Sequence, residues 1–316
     1  MAANLCLILK MMYWGNKKVI AIGGGKGGIG KSIISSNLAI LLGRMNKKVL
    51  LVDADLGAAN LHTLLGIRFP QYTLEDYLTE RIKTFDDIVL KTRFTGVSLL
   101  SGASDILSLL NPTFKERQKI IRNLQKFDAD FIVIDLPAGT HMQAVDFFSM
   151  AHFGLVVLEP TPTSLENAFS FLKNMLLRKL LKAFHRNVSV RVFIEEISDP
   201  RNPKGTIRFK DMLIELEKEH PEIVKFFKEE IARETVYIVA NSVEHDAQKN
   251  VANKFAMVVN EYLNLHCILL GNLPFEPKMK ECVVAITPFV EKIPDSLFEK
   301  SLQHMIESVF TSDKKF

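Results

Sequence analysis

Cysteine is scarce in this chain of 316 residues: only Cys6, Cys267 and Cys282 occur, and no two of them form a C-x-x-C pair. That excludes a disulfide framework and the usual ligand spacing of zinc or iron–sulfur sites, and the expected setting is a reducing cytoplasm. The eight histidines show no H-E-x-x-H or comparable spacing, so a metalloprotease-type centre is excluded as well. Long apolar runs are missing: Ala2 to Leu9 is too short to span a bilayer and Lys10 interrupts it. The same stretch has no basic leading region and no small-residue cleavage site, so a signal peptide is not expected. Charge of one sign is not in excess either. The net value of +4 is too mild to imply nucleic acid or a membrane surface. Internal repeats and low-complexity tracts are absent.

What is present is an apolar chain, 47% hydrophobic with a mean hydropathy of +0.11, able to bury a large core. Short Val/Ile/Leu runs alternate with longer helical patterns. Strands are expected at Lys18–Gly23, Lys48–Val52, Val97–Leu100, Phe131–Asp135, Gly154–Glu159, Val188–Ile194, Val236–Ala240 and Cys267–Leu270. Helices are expected at Lys31–Leu42, Thr113–Phe127, Met142–Met150, Ser164–Phe184, Ala247–Leu263, Pro277–Ala285 and Asp295–Phe310. The alternation implies an α/β fold, a doubly wound, mostly parallel sheet with helices on both faces. Ligands of such sheets lie beyond the carboxyl ends of the strands.

The chemistry is concentrated there. After the first strand comes Gly23-Gly24-Gly25-Lys26-Gly27-Gly28-Ile29-Gly30-Lys31-Ser32, which from Gly25 satisfies G-x-x-x-x-G-K-[ST]. Glycines let successive N–H groups turn inward around an anion, and the following helix adds its positive end. Gly25, Gly27, Gly28, Ile29, Gly30, Lys31 and Ser32 are the expected cradle, making the fold a P-loop NTPase. Lys31 would reach the β- and γ-phosphates, and the Ser32 hydroxyl would meet Mg²⁺. The next strand ends in Asp53-Ala54-Asp55-Leu56-Gly57, followed by Asn60. A later strand, Phe131-Ile132-Val133-Ile134, ends in Asp135, an arrangement suited to holding Mg²⁺ through water, and runs on into Leu136-Pro137-Ala138-Gly139. A late strand ends in Asn241, and Leu270-Gly271-Asn272-Leu273-Pro274 follows downstream.

Lys26 is a second lysine inside the loop, in the order Lys-Gly-Gly-x-Gly-Lys-Ser. In this the sequence resembles the deviant-Walker ATPases of the MinD/ParA class. The resemblance implies ATP and Mg²⁺ as cofactors, and a homodimer when ATP is bound. In that dimer Lys26 would contact the partner's ATP in trans. Asp55 would orient or deprotonate the attacking water, and Asp53 would support Mg²⁺ or its water shell. Asn60 would contact the nucleotide, the Gly139 N–H would sense the γ-phosphate, Asn241 would read the adenine edge, and Pro274 would line the base pocket. Ala54 to Asn60, Leu64-Leu65-Gly66 and Ser101-Gly102-Ala103-Ser104 look most like the FlhG/FleN branch, which limits flagellar number and position. The motif by which that branch engages the flagellar GTPase FlhF does not appear in Met1 to Lys17. Expected partners are an FlhF-like GTPase or a flagellar basal-body component.

Residues 1–17 read as a poorly ordered arm ahead of one ATPase domain, 18–316. Within that domain, 195–235 reads as an inserted solvated helical hairpin. Lys173, Arg178, Lys179, Lys182, Arg186 and Arg191 form a basic run, read first as a solvated face, with nucleic acid the weaker expectation. The amphipathic stretch 295–310 is expected to dock on the domain, with peripheral membrane contact as the alternative.

Overall fold

The computed structural model describes residues 14–57, 59–102, 113–139, 142–184, 187–198 and 209–310. Eight strands form one sheet: β1 Lys18–Gly23, β2 Val49–Asp53, β3 Val89–Lys91, β4 Val97–Leu100, β5 Phe131–Asp135, β6 Phe153–Leu158, β7 Thr235–Val243 and β8 His266–Pro274. Their order is β3-β4-β2-β5-β1-β6-β7-β8. All pairs are parallel except β3 with β4. The central strands are apolar except at their ends, where Lys18, Asp53 and Asp135 stand, because both faces are covered. In β1, Val19 and Ala21 enter one core while Ile20 and Ile22 enter the other. Each such fully buried Val or Ile adds ~1.5–3 kcal/mol to the stability of the sheet.

Helix α1 (Lys31–Arg44) lies on the face of Ile20 and Ile22. The other face carries α2 (Phe114–Lys126), α3 (Met142–Met150), α4 (Pro162–Ala183), α5 (Val188–Ser198), α6 (Phe209–Glu219), α7 (Pro221–Ala232) and α8 (Val251–Leu263). The last helix, α9 (Leu297–Met305), returns to the α1 face and runs into a wider turn, Ile306–Phe310.

Two expected elements come out differently. Val188–Ile194 is helix, not strand. The alternation Val188-Ser-Val190-Arg-Val192 mimics a strand, but Val190 and Ile194 are the residues buried, one helical turn apart, while Val188 and Val192 face solvent. β3, three residues long and antiparallel, carries too short a pattern to be read from sequence. The expected helix Ala247–Leu263 breaks at Asn250 into a short turn, Asp246–Lys249, and α8. The hairpin α6–α7 is solvated on one side only, since Phe209, Met212, Leu213, Leu216, Val224, Phe227 and Ile231 join the core.

The ends are held as well. Trp14, read as part of the arm, is buried, and its indole N–H donates to the Met150 carbonyl at 3.1 Å; residues 1–13 lie outside the described residues. In α9, Phe298, Leu302 and Met305, together with Ile306 and Phe310, are buried against β8 and α1. The Arg44 guanidinium donates to Glu299 at 2.7 Å and to the Val290 carbonyl at 2.9 Å. The apolar face of α9 is therefore docked, and membrane contact through it would require undocking.

Candidate functional site

The phosphate loop joins β1 to α1 and is pressed against its surroundings. A Cβ on Gly24 would lie 2.7 Å from the Val157 carbonyl oxygen, and one on Gly25 only 1.9 Å from that of Asn167. Gly28 and Gly30 adopt φ of +79° and +89°, a region costly for any residue with a Cβ. Gly30 caps α1 without a side chain, and the first turn holds no acid. The first N–H groups of the helix are thus left for an anion. Lys31 is buried, and its ammonium donates to the Lys26 carbonyl at 3.1 Å. Burial lowers its pKa, opposed by the nearby Asp135 and Asp55 carboxylates.

Asp53 and Asp135 stand opposite each other at the carboxyl ends of β2 and β5. Both are buried. Burial pushes the Asp53 carboxyl up to about 8, with Asp135 adding to the effect. Burial likewise pushes Asp135 up to about 6, against hydrogen bonds from Ser32 and Ser35 and the charge of Lys31. Two acids drawn toward the neutral form are a donor set short of positive charge. Asp53 accepts the N–H of Asp55 at 3.2 Å and that of Leu61 at 3.1 Å, one on each oxygen, which pins the loop carrying Asp55 and Asn60. Asp55 is half-buried within the field of Lys31; Asn60 is exposed and opens the short helix Leu61–Leu64.

Among the described residues no three His, Cys, Asp or Glu side chains converge as a metal cage. The set fits Mg²⁺ in another way. A hard cation served by one hydroxyl, Ser32, and buried carboxylates takes its remaining oxygens from phosphate and water.

Gly139 has φ +85°, and the segment before it lies beside the cradle: a Cβ on Gly27 would be 3.7 Å from that of Ala138. Thr140 and His141 lie outside the described residues. Asn241 is brought to the loop by a bulge in β7, where the register shifts between Ala240 and Val243 and Ser242 takes φ +58°. Its amide N–H donates to the Ile29 carbonyl at 2.9 Å, leaving the side-chain oxygen for another donor. Pro274 ends the adjacent β8, paired with Val243. The structure thus gathers Lys26, Lys31, Ser32, Asp53, Asp55, Asp135, Gly139 and Asn241 around one loop, with Asn60 and Pro274 at its margins.

Sequence reasoning passed over Ser35. It is fully buried, and its hydroxyl lies 2.9 Å from Asp135 Oδ1. Its spacing, one turn beyond Ser32, was the available signal.

Three of the six residues of the basic run are spoken for. Arg178 donates twice to Asp146, at 2.7 and 2.8 Å, Lys182 donates to the same carboxylate at 2.7 Å, and Lys179 pairs with Glu234. Arg186 lies outside the described residues.

A glycine cradle between a strand and a helix, with acids closing the adjacent strand β5 and the next one, β2, defines a P-loop NTPase. A family model described as ParA, NUBPL iron-transfer P-loop NTPase, matches residues 15–179. The chain belongs to the ParA/MinD family of P-loop NTPases. It is 32% identical over 208 residues to the antiactivator FleN of Pseudomonas aeruginosa, a match covering 63% of this chain and 71% of that one. It is 33% identical to the septum site-determining protein MinD of Helicobacter pylori, a match covering 48% of this chain and 55% of that one. Among solved structures, cell division ATPase MinD of Pyrococcus furiosus superposes with a TM-score of 0.61 at 25% identity, covering 93% of this chain and 98% of that one. MinD of Pyrococcus horikoshii, complexed with Mg-ADP, superposes at 0.62 and 21% identity, covering 93% and 96%, a likeness of fold.

Proposed function

We propose that the chain is an ATP-driven dimerising switch that binds and slowly hydrolyses ATP with Mg²⁺, and that it governs flagellar number or placement together with a regulatory partner protein. The observation that carries this reading is the second lysine. Lys26 gives its carbonyl to Lys31, and no ion pair holds its own ammonium among the described residues. A lysine built into a cradle it does not serve is suited to a nucleotide held by a second copy. A cation supplied in trans is worth roughly 10³–10⁵ in rate in the systems where it has been measured.

In this reading Lys31 leaves the Lys26 carbonyl for the β- and γ-phosphates, and the N–H groups from Gly25 to Ser32 close around them. Ser32, Asp135 and Asp53 would hold Mg²⁺, which when bound would neutralise phosphate charge. Asp55 orients or deprotonates the attacking water. Asn60 reaches the nucleotide, the free oxygen of Asn241 meets the adenine edge, and Pro274 lines the base. Gly139 reports the γ-phosphate, and loss of that contact releases the dimer.

The Mg-ADP held by the Pyrococcus horikoshii relative supports nucleotide and metal, and the likeness to FleN supports the flagellar process. A role in placing the division site or partitioning a cargo is the second reading, the first of these supported by the MinD relatives. An iron-carrier role draws no support from Cys267 and Cys282, each free and buried on a separate element.

The test is titration with a fluorescent ATP analogue. Lys31→Ala should weaken binding roughly ten- to a hundred-fold, the worth of one charge-assisted hydrogen bond. Binding unchanged by Lys31→Ala would refute the cradle assignment.

A further inference from the structure

We propose that Ser35 is a positioning residue for Asp135, holding that carboxylate in the orientation in which it supports the metal. The proposal rests on the reading of Asp135 as a metal-supporting acid given above. Ser35 sits one helical turn beyond Ser32 on α1, fully buried beneath the loop. Its Oγ lies 2.9 Å from Asp135 Oδ1 and 2.9 Å from the Lys31 carbonyl oxygen. A hydroxyl has one proton to donate. The Lys31 carbonyl already accepts an N–H within the helix, whereas an ionised carboxylate forms the stronger, charge-assisted bond. The proton therefore goes to Asp135.

The carboxylate needs such a hold. Asp135 ends β5 as a buried side chain whose terminal torsion is soft, so its two oxygens are fixed only by their partners. Those partners are the hydroxyls of Ser32 and Ser35 and the charge of Lys31. In a loaded site Ser32 would serve the metal and Lys31 the phosphates. Ser35 is then the one member of the three with no other task. It keeps Oδ1 occupied and leaves the second oxygen to the metal's shell. Removing a hydrogen bond behind a metal-supporting group typically lowers metal affinity ten- to a hundred-fold.

The experiment measures binding of a fluorescent ATP analogue to the full chain across a Mg²⁺ titration. Thermal midpoints are recorded in chelator, and wild type is compared with Ser35→Ala, Ser35→Thr and Asp135→Asn. Ser35→Ala should raise the Mg²⁺ needed for half-saturation roughly tenfold. Nucleotide affinity in chelator should stay near wild type while the metal-free midpoint falls, since a buried carboxylate loses a donor, and Ser35→Thr, which keeps the hydroxyl, should restore both the midpoint and the metal response. If Ser35→Ala fails to fold, Ser35→Cys keeps the volume, weakens the donor and is read the same way. An Asp135→Asn protein that loses its metal response beside a Ser35→Ala protein that keeps it in full would overturn the positioning role alone. Absence of any Mg²⁺ dependence in wild type would overturn the metal reading and this proposal together.

Discussion

Lys26 and Lys31 lie five positions apart in one loop, and the physics of each is different. Lys31 is buried, its pKa lowered by that burial and supported by the two nearby acids Asp135 and Asp55. Lys26 contributes a backbone carbonyl, and no ion pair takes up its ammonium among the described residues. Lys26→Ala should therefore keep nucleotide affinity while turnover falls by roughly 10³ or more, measured as phosphate release at saturating ATP. Equal turnover in the two proteins would refute a trans role. Lys31, Ser32 and Asp135 were picked out by the loop pattern and the strand-ending acid, Asp53 and Asp55 were given roles by the resemblance, and the fold brings the five close to one loop. Two details were not legible. Ser35 acts through an acid one hundred positions away, and Asn241 is aimed by a bulge that no local pattern announces.

The elements around the site are tied by a few charged anchors. Asp146 on α3, the helix that follows Gly139, accepts hydrogen bonds from Arg178 and Lys182 on α4 and lies near Arg117 on α2. Burial alone would raise the Asp146 pKa, but these cations outweigh it and the net shift is downward. In the window below the ordinary carboxylate value the unfolded chain binds the proton and the folded one does not. The contribution is thus complete above about pH 4 and is lost as pH falls through the depressed value. Asp146→Asn should cost about 1–3 kcal/mol at neutral pH, with the gap to wild type closing below about pH 4 in thermal melts. A gap that stayed constant with pH would contradict the clamp. Docking of α9 is tested separately: Phe298→Ala, at a fully buried position, should cost ~3–5 kcal/mol in denaturant titrations. A near-neutral result would mean that the helix spends its time undocked. Strands β1, β2 and β5 could be read in advance because burial on both faces leaves only apolar residues. α5 was misread because its valines alternate, and only the packing of Val190 and Ile194 decides for helix.

At the scale of the molecule, the candidate site residues gather at the carboxyl edge of a single sheet, and α9 covers the face that carries α1. The doubly wound architecture was legible from the alternation of elements. In the long excursion between β6 and β7, helices α4, α6 and α7 were read in advance, but how α4 to α7 share one core was not, because it is set by contacts far apart in sequence. The arrangement leaves the cradle, Lys26 and the Asp55 loop on one side of the protomer, where a second copy can approach with its own nucleotide. The most direct test of that claim is sedimentation of Asp55→Ala with saturating ATP and Mg²⁺, conditions that bind nucleotide and block its turnover. A stable dimer that returns to protomer when Lys26→Ala is added is the predicted result; a lone protomer at saturation would contradict the account.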